Sequence, residues 1–540
     1  MFITLHTVAL MLYAILLTFS RIWVLMLASV LLAVFLGILS ARIRIAGAII
    51  IPITDILESV PVVSFFPIIL IFLIDRAGGG IGIQLAVDFL IITALIWNLI
   101  LGVYQSVSQI PEQMIDVTRV YRFSGWKRLS TLYVPASYNS IIANIMPSFA
   151  SALFYITFSE VITVGNENYS VFGVGSLSLQ YANSGQYSLI LVLILFLVGA
   201  IALSYYFIIN PLLKRSSIYK FEATPEESEQ KKETRLSSLA STVNTRIRQV
   251  VGSGVTALES INRPSSDKGE RVRRVRRFSD RSLNIITGAI LLFFVGLAIY
   301  LVAAAGFADA FKTYLLNGSS LLTLTFATLY DLARIGTVFA VSFATMVPLA
   351  IYFGIKGKTG RFFTGAFQIL YSIPVPVILP LIIIFFTPRL TPYLGERIAF
   401  NFDVFLVTYL SAAAYIFFNV YGAALSLPSE LKVITHTYNI SGFRKVRYLL
   451  FPGIFPGLVT GSMAAFGSYW GGLQVSEYIV IQDKTYAVHR GLMMLIESEI
   501  AKGNLLYVDA IDIFLVFVVT LISFLVWMRL YKYSQNRFRL

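Results

Sequence analysis

Two glutamates lie where a polar side chain is most costly, at the ends of long apolar segments. Glu160 and Glu477 are 317 positions apart. An ionisable group at membrane depth usually faces a cavity or a partner, so we expect the pair to line a polar path or to contact another protein, unless each is a solvated helix end. Asn144 and Gln474 lie within the same segments, where polar side chains line a path or join helices to one another.

Residue groupings typical of enzymes are absent from the sequence. The three histidines, His6, His436 and His489, are scattered and lack metal-ligand spacing. There is no cysteine, which excludes disulfides and thiolate chemistry. Residues 354–360 contain the Gly-Lys-Thr of a phosphate loop, but Tyr352 occupies the place of its first glycine. We therefore expect no catalytic residue, no metal and no cofactor.

The composition indicates a membrane protein. Of the 540 residues, 57% are hydrophobic, whereas soluble proteins usually have about 45 to 50% apolar residues even with glycine counted. The net charge of +14 is carried mainly by short loops and one linker, which is typical of cytoplasmic loops and argues against nucleic-acid binding. The apolar N-terminal stretch lacks the features of a signal peptide, so we expect a retained span.

A stretch of about fifty residues occurs twice in the chain, which indicates an internal duplication. The matched pairs are Pro111 with Pro428, Gly125 with Gly442, Pro135 with Pro452, and Glu160 with Glu477, all 317 positions apart. In each copy a polar and basic loop is followed by an apolar helix long enough to cross a membrane.

A second repeated block precedes the first and confirms the duplication. The matched residues are Pro61 with Pro374, Pro67 with Pro380, and Arg21 with Arg334, all 313 positions apart. A four-residue insertion between the blocks explains the change of offset. Two prolines in one apolar segment remove backbone donors, so each segment is expected to contain a broken helix or a simple kink.

Apolar segments long enough to cross a membrane occur six times in each half. They are 2–18, 20–39, 56–74, 86–106, 138–163 and 188–210, then 284–305, 334–354, 366–386, 402–424, 453–475 and 510–531. We predict an all-α polytopic membrane protein of two tandem six-span repeats, with about 12 transmembrane helices. The predicted domains are residues 1–213 and 283–540, joined by a polar linker over 214–282.

The distribution of Lys and Arg predicts the orientation. It places the repeated loops, the linker and both termini in the cytoplasm, and it makes the two halves parallel rather than inverted. The linker has 16 basic and 9 acidic residues, a net charge of +7. We expect a largely disordered tether with its basic end near anionic lipid, or a short amphipathic helix within it.

Small residues recur at every fourth position of the helix that follows each loop. The second copy has Gly453, Gly457, Gly461 and Ala465, and the first has Ala136, Ser140, Asn144 and Ser148. Such a stripe allows close helix approach, either within one half or between the two halves.

The repeated loop resembles the EAA loop of permease subunits from binding-protein-dependent ABC importers. That loop has a proline, an EAA triplet, a glycine and a second proline. The triplet positions hold Asp116, Val117 and Thr118, then Val433, Ile434 and Thr435; the glycine positions hold Arg122 and Asn439, with Gly125 and Gly442 three residues later. The closing prolines are Pro135 and Pro452.

Within this superfamily the chain is most similar to the nitrate, taurine and aliphatic-sulfonate type. Those permeases also have a paired-proline segment before the loop and a glutamate after the helix that follows it. The resemblance covers about the last five spans of each half. It implies the type I importer permease fold, with two permease domains fused in one chain.

The resemblance also implies a role for the loops, which in the family form coupling helices that dock on ATPase subunits. The residues implied are Asp116, Thr118, Arg122, Gly125, Trp126 and Pro135, with Thr435, Asn439, Gly442, Phe443 and Pro452 in the second copy. Trp126 and Phe443 suit docking anchors, because aromatic side chains fill pockets well; interfacial aromatics are the alternative.

The function implied is that of a permease subunit, not an enzyme. It would form the path for a small solute, with two cytoplasmic ABC ATPase subunits, an extracytoplasmic binding protein and membrane lipid as partners, in the plasma membrane of a prokaryote. The likeness favours a small anion or sulfonate as substrate. The alternative is an ion-coupled secondary transporter of the major-facilitator kind, which also has twelve spans and parallel halves.

Overall fold

The computed structural model describes residues 4–59, 66–164, 167–216, 307–356, 358–425, 427, 442–482 and 484–537. Both halves of the repeat belong to one compact unit. The predicted linker lies outside the described residues apart from its first three positions, and the predicted span 284–305 lies wholly outside them.

The first half is helical apart from one small hairpin. Its elements are α1 (Leu5–Arg42), α2 (Arg44–Ser59), α3 (Phe66–Ala77), α4 (Gly79–Ser108), α5 (Glu112–Val120), α6 (Gly125–Arg128), α7 (Val134–Ser159), β1 (Val161–Val164), β2 (Glu167–Ser170), α8 (Val174–Asn183), α9 (Tyr187–Ser204) and α10 (Asn210–Ser216). Strands β1 and β2 pair antiparallel. Single π-helical turns at Leu129–Tyr133 and Tyr205–Ile209 connect α6 to α7 and α9 to α10.

The second half has the same order of principal elements. They are α11 (Phe307–Ala310), α12 (Gly318–Ile355), α13 (Lys358–Tyr371), α14 (Val375–Leu394), α15 (Glu396–Leu425), α16 (Gly442–Lys445), α17 (Phe451–Ser476), β3 (Tyr478–Ile481), β4 (Lys484–Ala487), α18 (Leu492–Ala501), α19 (Leu505–Ile522) and α20 (Met528–Arg537). Strands β3 and β4 also form an antiparallel hairpin.

Five pairs of corresponding helices in the two halves have equal lengths, as expected after a duplication. Helices α1 and α12 have 38 residues each, α4 and α15 have 30, and α7 and α17 have 26. Helices α8 and α18 have 10 residues each, and α9 and α19 have 18. Gly78 and Gly395, with φ values of 85° and 78°, end α3 and α14 in the same way. The predicted four-residue insertion therefore lies between Pro380 and Gly395, about one helical turn within α14.

Nine helices in the described part of the chain are long and apolar enough to cross a membrane. They are Leu5–Arg42, Gly79–Ser108, Gly125–Ser159, Tyr187–Leu212, Gly318–Ile355, Val375–Leu394, Glu396–Leu425, Arg447–Ser476 and Leu505–Ser534. The fold class is thus an all-α polytopic membrane protein of two tandem repeats.

The division of the first two predicted spans is wrong. Residues 2–18 and 20–39 were expected to be separate spans, but α1 is continuous across them. The polar residues at the expected boundary do not break the helix, because Ser20 Oγ donates to Leu17 O at 2.9 Å and Arg21 pairs with Asp88 of α4 at 3.4 Å. Since one helix carries Leu5 and Arg42 to opposite ends, the prediction that the N-terminus shares the side of Arg42 does not hold.

The paired prolines break the chain between helices in the second half. The predicted span 366–386 is divided, because α13 ends at Tyr371 and α14 begins directly after Pro374. Pro380 lies inside α14 and is buried there. In the first half Pro61 lies outside the described residues.

The small-residue stripes pack within their own halves. A Cβ on Gly461 would lie 2.8 Å from Tyr415 O, and one on Gly457 would lie 2.6 Å from Asn419 O, both on α15. In the first half Ser140 Oγ accepts from Ser106 Oγ of α4 at 2.7 Å. The first of the two packing alternatives, close approach within one half, is therefore observed.

Other contacts join the two halves directly. Ser151 Oγ of α7 and Tyr415 OH of α15 are 2.8 Å apart. Ser178 Oγ of α8 donates to Val377 O of α14 at 3.1 Å. At the hairpin end, the backbone N–H of Gln482 donates to Asn183 Oδ1 at 3.1 Å. The two hairpins therefore lie at the same end of the bundle.

Gly461→Ala should lower the thermal unfolding midpoint of the detergent-purified protein, because its Cβ would meet backbone that cannot yield easily. Overpacking of this kind costs about 1–3 kcal/mol. Gly422→Ala is the matched control, since nothing lies within 4 Å of a Cβ there. A midpoint for Gly461→Ala equal to that of Gly422→Ala would show that α15 and α17 do not approach closely.

Candidate functional site

The first repeated loop folds as a short helix with a well-defined C-terminal end. Helix α5 begins after Pro111, and its C-terminus has the two hydrogen bonds of a Schellman motif. The N–H of Phe123 donates to Thr118 O at 2.9 Å, and that of Arg122 donates to Arg119 O at 3.0 Å. The loop is thereby held in one conformation.

Arg122 occupies the left-handed position of this motif, with φ of 53°. Glycine is the usual residue there because it lacks the Cβ that makes the conformation unfavourable. Arg122 stands at the glycine position of the EAA-like loop, and its backbone has a conformation that glycine adopts most easily. Gly125, the next glycine, begins α6 after Ser124, whose Oγ accepts from the N–H of Lys127 at 3.3 Å.

One face of α5 and the turn after it present apolar side chains to the surroundings. The exposed fractions are 37% for Met114, 53% for Val117, 77% for Val120, 72% for Tyr121 and 77% for Trp126. Ile115 and Thr118 lie on the opposite, buried face. Sequence reasoning named Trp126 but missed the other four, although their spacing of three and four residues in a polar loop was a visible signal.

The remaining first-copy residues support this exposed face. Asp116 is exposed and pairs with Arg119 at 2.8 Å, one turn away on the same helix. Thr118 Oγ1 donates to Ile115 O at 2.7 Å. Pro135 lies in the first turn of α7, which directly follows the π-helical turn Leu129–Tyr133.

Much of the second copy lies outside the described residues, including Thr435 and Asn439. Gly442 begins α16 with φ of 58°, a conformation that favours glycine. Phe443 is the next residue of that helix. Pro452 lies in the first turn of α17, as Pro135 does in α7.

At the other end of α7, Glu160 binds the N-terminus of α8. Its carboxylate accepts from Thr18 Oγ1 of α1 at 2.8 Å and from the N–H of Gly175 at 2.5 Å. Thr18 Oγ1 in turn accepts from the N–H of Val174 at 3.2 Å. Glu160 is 1% exposed. A Cβ on Gly173 would overlap the carboxylate, so this position requires glycine for close approach.

Glu477 has the same position in the second half but binds a charged cluster. It accepts from Arg334 Nη1 at 2.8 Å and from the N–H of Met494 at 3.1 Å. Asp331 replaces Thr18 at the equivalent position; it accepts from Arg334 Nη1 at 3.0 Å and from the N–H of Leu492 at 2.7 Å. Two carboxylates thus share one arginine and the N-terminus of α18, where partial positive charge favours them.

These observations decide between the readings of the two glutamates. A solvated helix end is wrong for both, since neither side chain is exposed by more than 1%. Each carboxylate joins three elements: the long first helix, the helix after the loop, and the short helix after the hairpin. Thr18 and Asp331 were missed because they differ in type, although both lie at the 313-residue offset.

A comparison with protein-family models was made for the whole chain. Residues 29–215 and 346–540 match the family described as binding-protein-dependent transport system inner membrane component. The two matches together cover more than half of the chain. It belongs to this family. The protein is therefore a multi-pass ABC transporter permease component in which the domain occurs twice. A comparison with curated proteins found no match.

Asn144 and Gln474, the other two residues predicted to line the path, lie between packed helices. Asn144 Nδ2 donates to Ser140 O of its own helix at 2.9 Å and lies against Gly102 of α4. Gln474 is 1% exposed and lies beside Glu497 of α18. Asn144 thus lies at the contact of α7 with α4, and Gln474 is buried where α17 meets α18.

The permease should become more stable when Arg122 is replaced by glycine. A non-glycine residue in the left-handed conformation costs about 1–2 kcal/mol, which glycine avoids. Arg122→Gly should therefore raise the thermal unfolding midpoint, and Arg122→Ala, which keeps a Cβ, should not. Equal midpoints for the two variants would mean that the left-handed backbone at this position carries no measurable strain.

Removal of the buried carboxylate should loosen α8. In Glu160→Leu, the N–H of Gly175 and the hydroxyl of Thr18 lose their partner in a buried place, which costs about 1–3 kcal/mol per group. Hydrogen exchange of the first-turn amides of α8 should accelerate, and the unfolding midpoint should fall. Glu112→Leu, at an exposed glutamate of α5, serves as the control. Unchanged exchange in Glu160→Leu would rule out this capping role.

Proposed function

We propose that this chain forms the complete translocation unit of an ABC importer. Both permease domains, residues 1–213 and 283–540, would be supplied by one chain and joined by the segment 214–282. Two copies of the family match and two equal sets of helices support this proposal. In an importer of this kind ATP is hydrolysed by separate subunits, so the permease itself is not the enzyme.

The exposed apolar face of α5 carries the proposal. Three apolar side chains, Met114, Val117 and Val120, are exposed on a short helix whose other face is buried, and Tyr121 and Trp126 are exposed just after it. This helix lies at the end of the bundle marked by Arg42, which contacts the ring of Tyr133 at 4.8 Å and donates to Val107 O at 3.0 Å. Trp126 and Tyr121 add exposed aromatic side chains to this loop, and aromatic residues are enriched among those that dominate binding energy at interfaces.

An ATPase subunit is the partner proposed for this face. Asp116, Thr118, Arg122, Gly125 and Trp126 form or support it in the first copy. The second copy, with Thr435, Asn439, Gly442 and Phe443, would provide the matching dock for a second ATPase. Closure of the two ATPases would then move the two loops towards each other.

Helices α7 and α17 are suited to transmit that movement. Each begins directly after its loop and ends at the buried glutamate, 26 residues away. At 1.5 Å per residue this is about 39 Å, enough to cross the hydrocarbon core. Glu160 and Glu477 fix the hairpins and short helices to these ends. We propose that the hairpin end receives the extracytoplasmic binding protein and contains the outer gate.

The substrate proposed is a small solute of the nitrate, taurine or sulfonate class. This rests on the paired prolines and on the glutamate that follows the loop helix, which match that type of permease. The membrane proposed is the plasma membrane of a prokaryote, with the α5 end in the cytoplasm. That orientation places the basic loops on the cytoplasmic side.

Co-purification with the ATPase subunits tests the proposal. The double variant Val117→Asp, Trp126→Asp should lose at least about tenfold in ATPase affinity, because buried charges replace apolar contacts at the interface centre. Tyr393→Asp is the control, since Tyr393 is 85% exposed at the hairpin end. Retention of the ATPase by the double variant would show that α5 is not the dock. Failure of the wild type to bind any ATPase would favour an ion-coupled transporter instead.

A further inference from the structure

A basic groove lies at the hairpin end of the second half. It has a volume of about 400 Å³ and runs between α12 and α15, closed at one side by the residues before α18. Arg334 of α12, Arg397 and Asn401 of α15, and His489 with Arg490 line it. Three arginines line one cavity, so we considered this groove as a binding site for an anionic ligand.

Two of the three arginines have no carboxylate partner in the described part of the chain. Arg334 is engaged, since it binds Asp331 and Glu477. The acid next to Arg397 is Glu396, and it pairs with Lys484 at 2.9 Å. That hydrogen bond raises the pKa of Lys484 above its ordinary value. No described carboxylate lies within 4 Å of the charged groups of Arg397 or Arg490.

Arg490 is nevertheless held over the groove. Its guanidinium lies 5.9 Å from the centre of the Tyr330 ring on α12, within the range of a weak cation–π contact. The planar guanidinium therefore remains available for hydrogen bonds to a ligand. Arginine is well suited to phosphate oxygens because its donors form a rigid fork.

The first half shows that the groove is not a requirement of the fold. At the positions of Arg397 and Phe405 it has Gly80 and Asp88, 317 residues earlier. Asp88 pairs there with Arg21, the counterpart of Arg334, at 3.4 Å. In the first half the corresponding residues are Arg21, Asp88 and the buried Glu160. Their formal charges sum to −1.

The connection before α18 adds a further difference between the halves. It is one residue longer than its counterpart, so His489 and Arg490 occupy the place of Phe172. Arg334, Arg397 and Arg490 against Asp331 and Glu477 give a net charge of +1. The formal charges of the residues at these two corresponding corners thus differ in sign.

The groove lies on the flank of the bundle rather than on the seam between the halves. Helix α12 packs on α15 and α17 of its own half, whereas α14 contacts α7, α8 and α9 across the seam. Between Arg334 and Ile355, α12 exposes Val341, Phe343 and Tyr352 by 36%, 37% and 55% of their surface. An apolar exposed flank of a transmembrane helix faces lipid acyl chains.

The depth of the groove also fits a lipid headgroup. Arg334 is 21 residues from Ile355, where α12 ends, which is about 32 Å along the helix. The hydrocarbon core of a bilayer is about 30 Å thick. With the Ile355 end at one membrane surface, Arg334 lies close to the headgroups of the other.

We propose that this groove binds a phosphate oxyanion, carried by the headgroup of an anionic lipid, through Arg397 and Arg490. The Arg334 cluster forms its floor. Basic pockets between transmembrane helices hold such headgroups. The proposed site occurs only in the second half, where a bound headgroup would contact α12, α15 and the segment before α18.

The test is lipid binding by the full-length purified chain in detergent, measured by native mass spectrometry. The wild type should bind phosphatidylglycerol in preference to phosphatidylcholine. The double variant Arg397→Gln, Arg490→Gln should bind phosphatidylglycerol at least about tenfold more weakly, because two charged hydrogen-bond donors are lost. Arg389→Gln, at an exposed arginine of α14 near the same end of the bundle, should bind like the wild type.

Inorganic phosphate distinguishes the two sources of the oxyanion. If it displaces phosphatidylglycerol only weakly at millimolar concentration, the lipid is the ligand. If phosphate protects the wild type against thermal unfolding and the double variant is not protected, while phosphatidylglycerol binds all variants equally, the ligand is a free oxyanion. Equal binding of both lipids and of phosphate by wild type and double variant overturns the proposal. If the double variant does not fold, the single variants decide in the same way, each with a severalfold loss expected.

Discussion

A buried carboxylate at the N-terminus of a short helix is the interaction on which both halves depend. Glu160 and Glu477 end the helices that follow the repeated loops, and each is enclosed where three elements meet. A buried carboxylate is stable only when its oxygens are hydrogen-bonded. This requirement fixes the path of the chain from the hairpin into the short helix, and it explains why Gly173 and Gly491 leave no room for a Cβ.

The two halves satisfy the same requirement with different chemistry. In the first half a neutral threonine and backbone N–H groups bind the glutamate. In the second half Asp331 occupies the position of Thr18, and Arg334 forms ion pairs with both Asp331 and Glu477. The two halves therefore share the geometry around the glutamate but differ in its charged neighbours.

The loop end and the hairpin end are joined by one long helix in each half. Helix α7 carries the apolar face of α5 at its beginning and the glutamate at its end, without a described break between them. Pro147 lies inside α7 and Pro456 inside α17, so each helix has a position where a kink can form. In the second half the glycine-rich α17 packs closely against α15.

The sequence alone determined the class of the protein, the duplication and most of the spanning helices. The apolar composition shows that the chain lies in a membrane. Pro135 and Gly125 have the same spacing as Pro452 and Gly442, and this spacing is readable from the sequence because proline and glycine act locally on the backbone. The sequence also shows that Arg122 occupies a position where the EAA loop has glycine. Its positive φ is consistent with that position.

Only the tertiary structure decided which residues meet. Thr18 and Glu160 are 142 residues apart in the chain, and no local pattern predicts such a pair. The first two predicted spans fused into α1 because Arg21 finds partners on α4, so a polar residue did not end the helix. The exposure of Val117 and Val120 depends in the same way on what packs beside them, and so does the lack of a described carboxylate near Arg397 and Arg490.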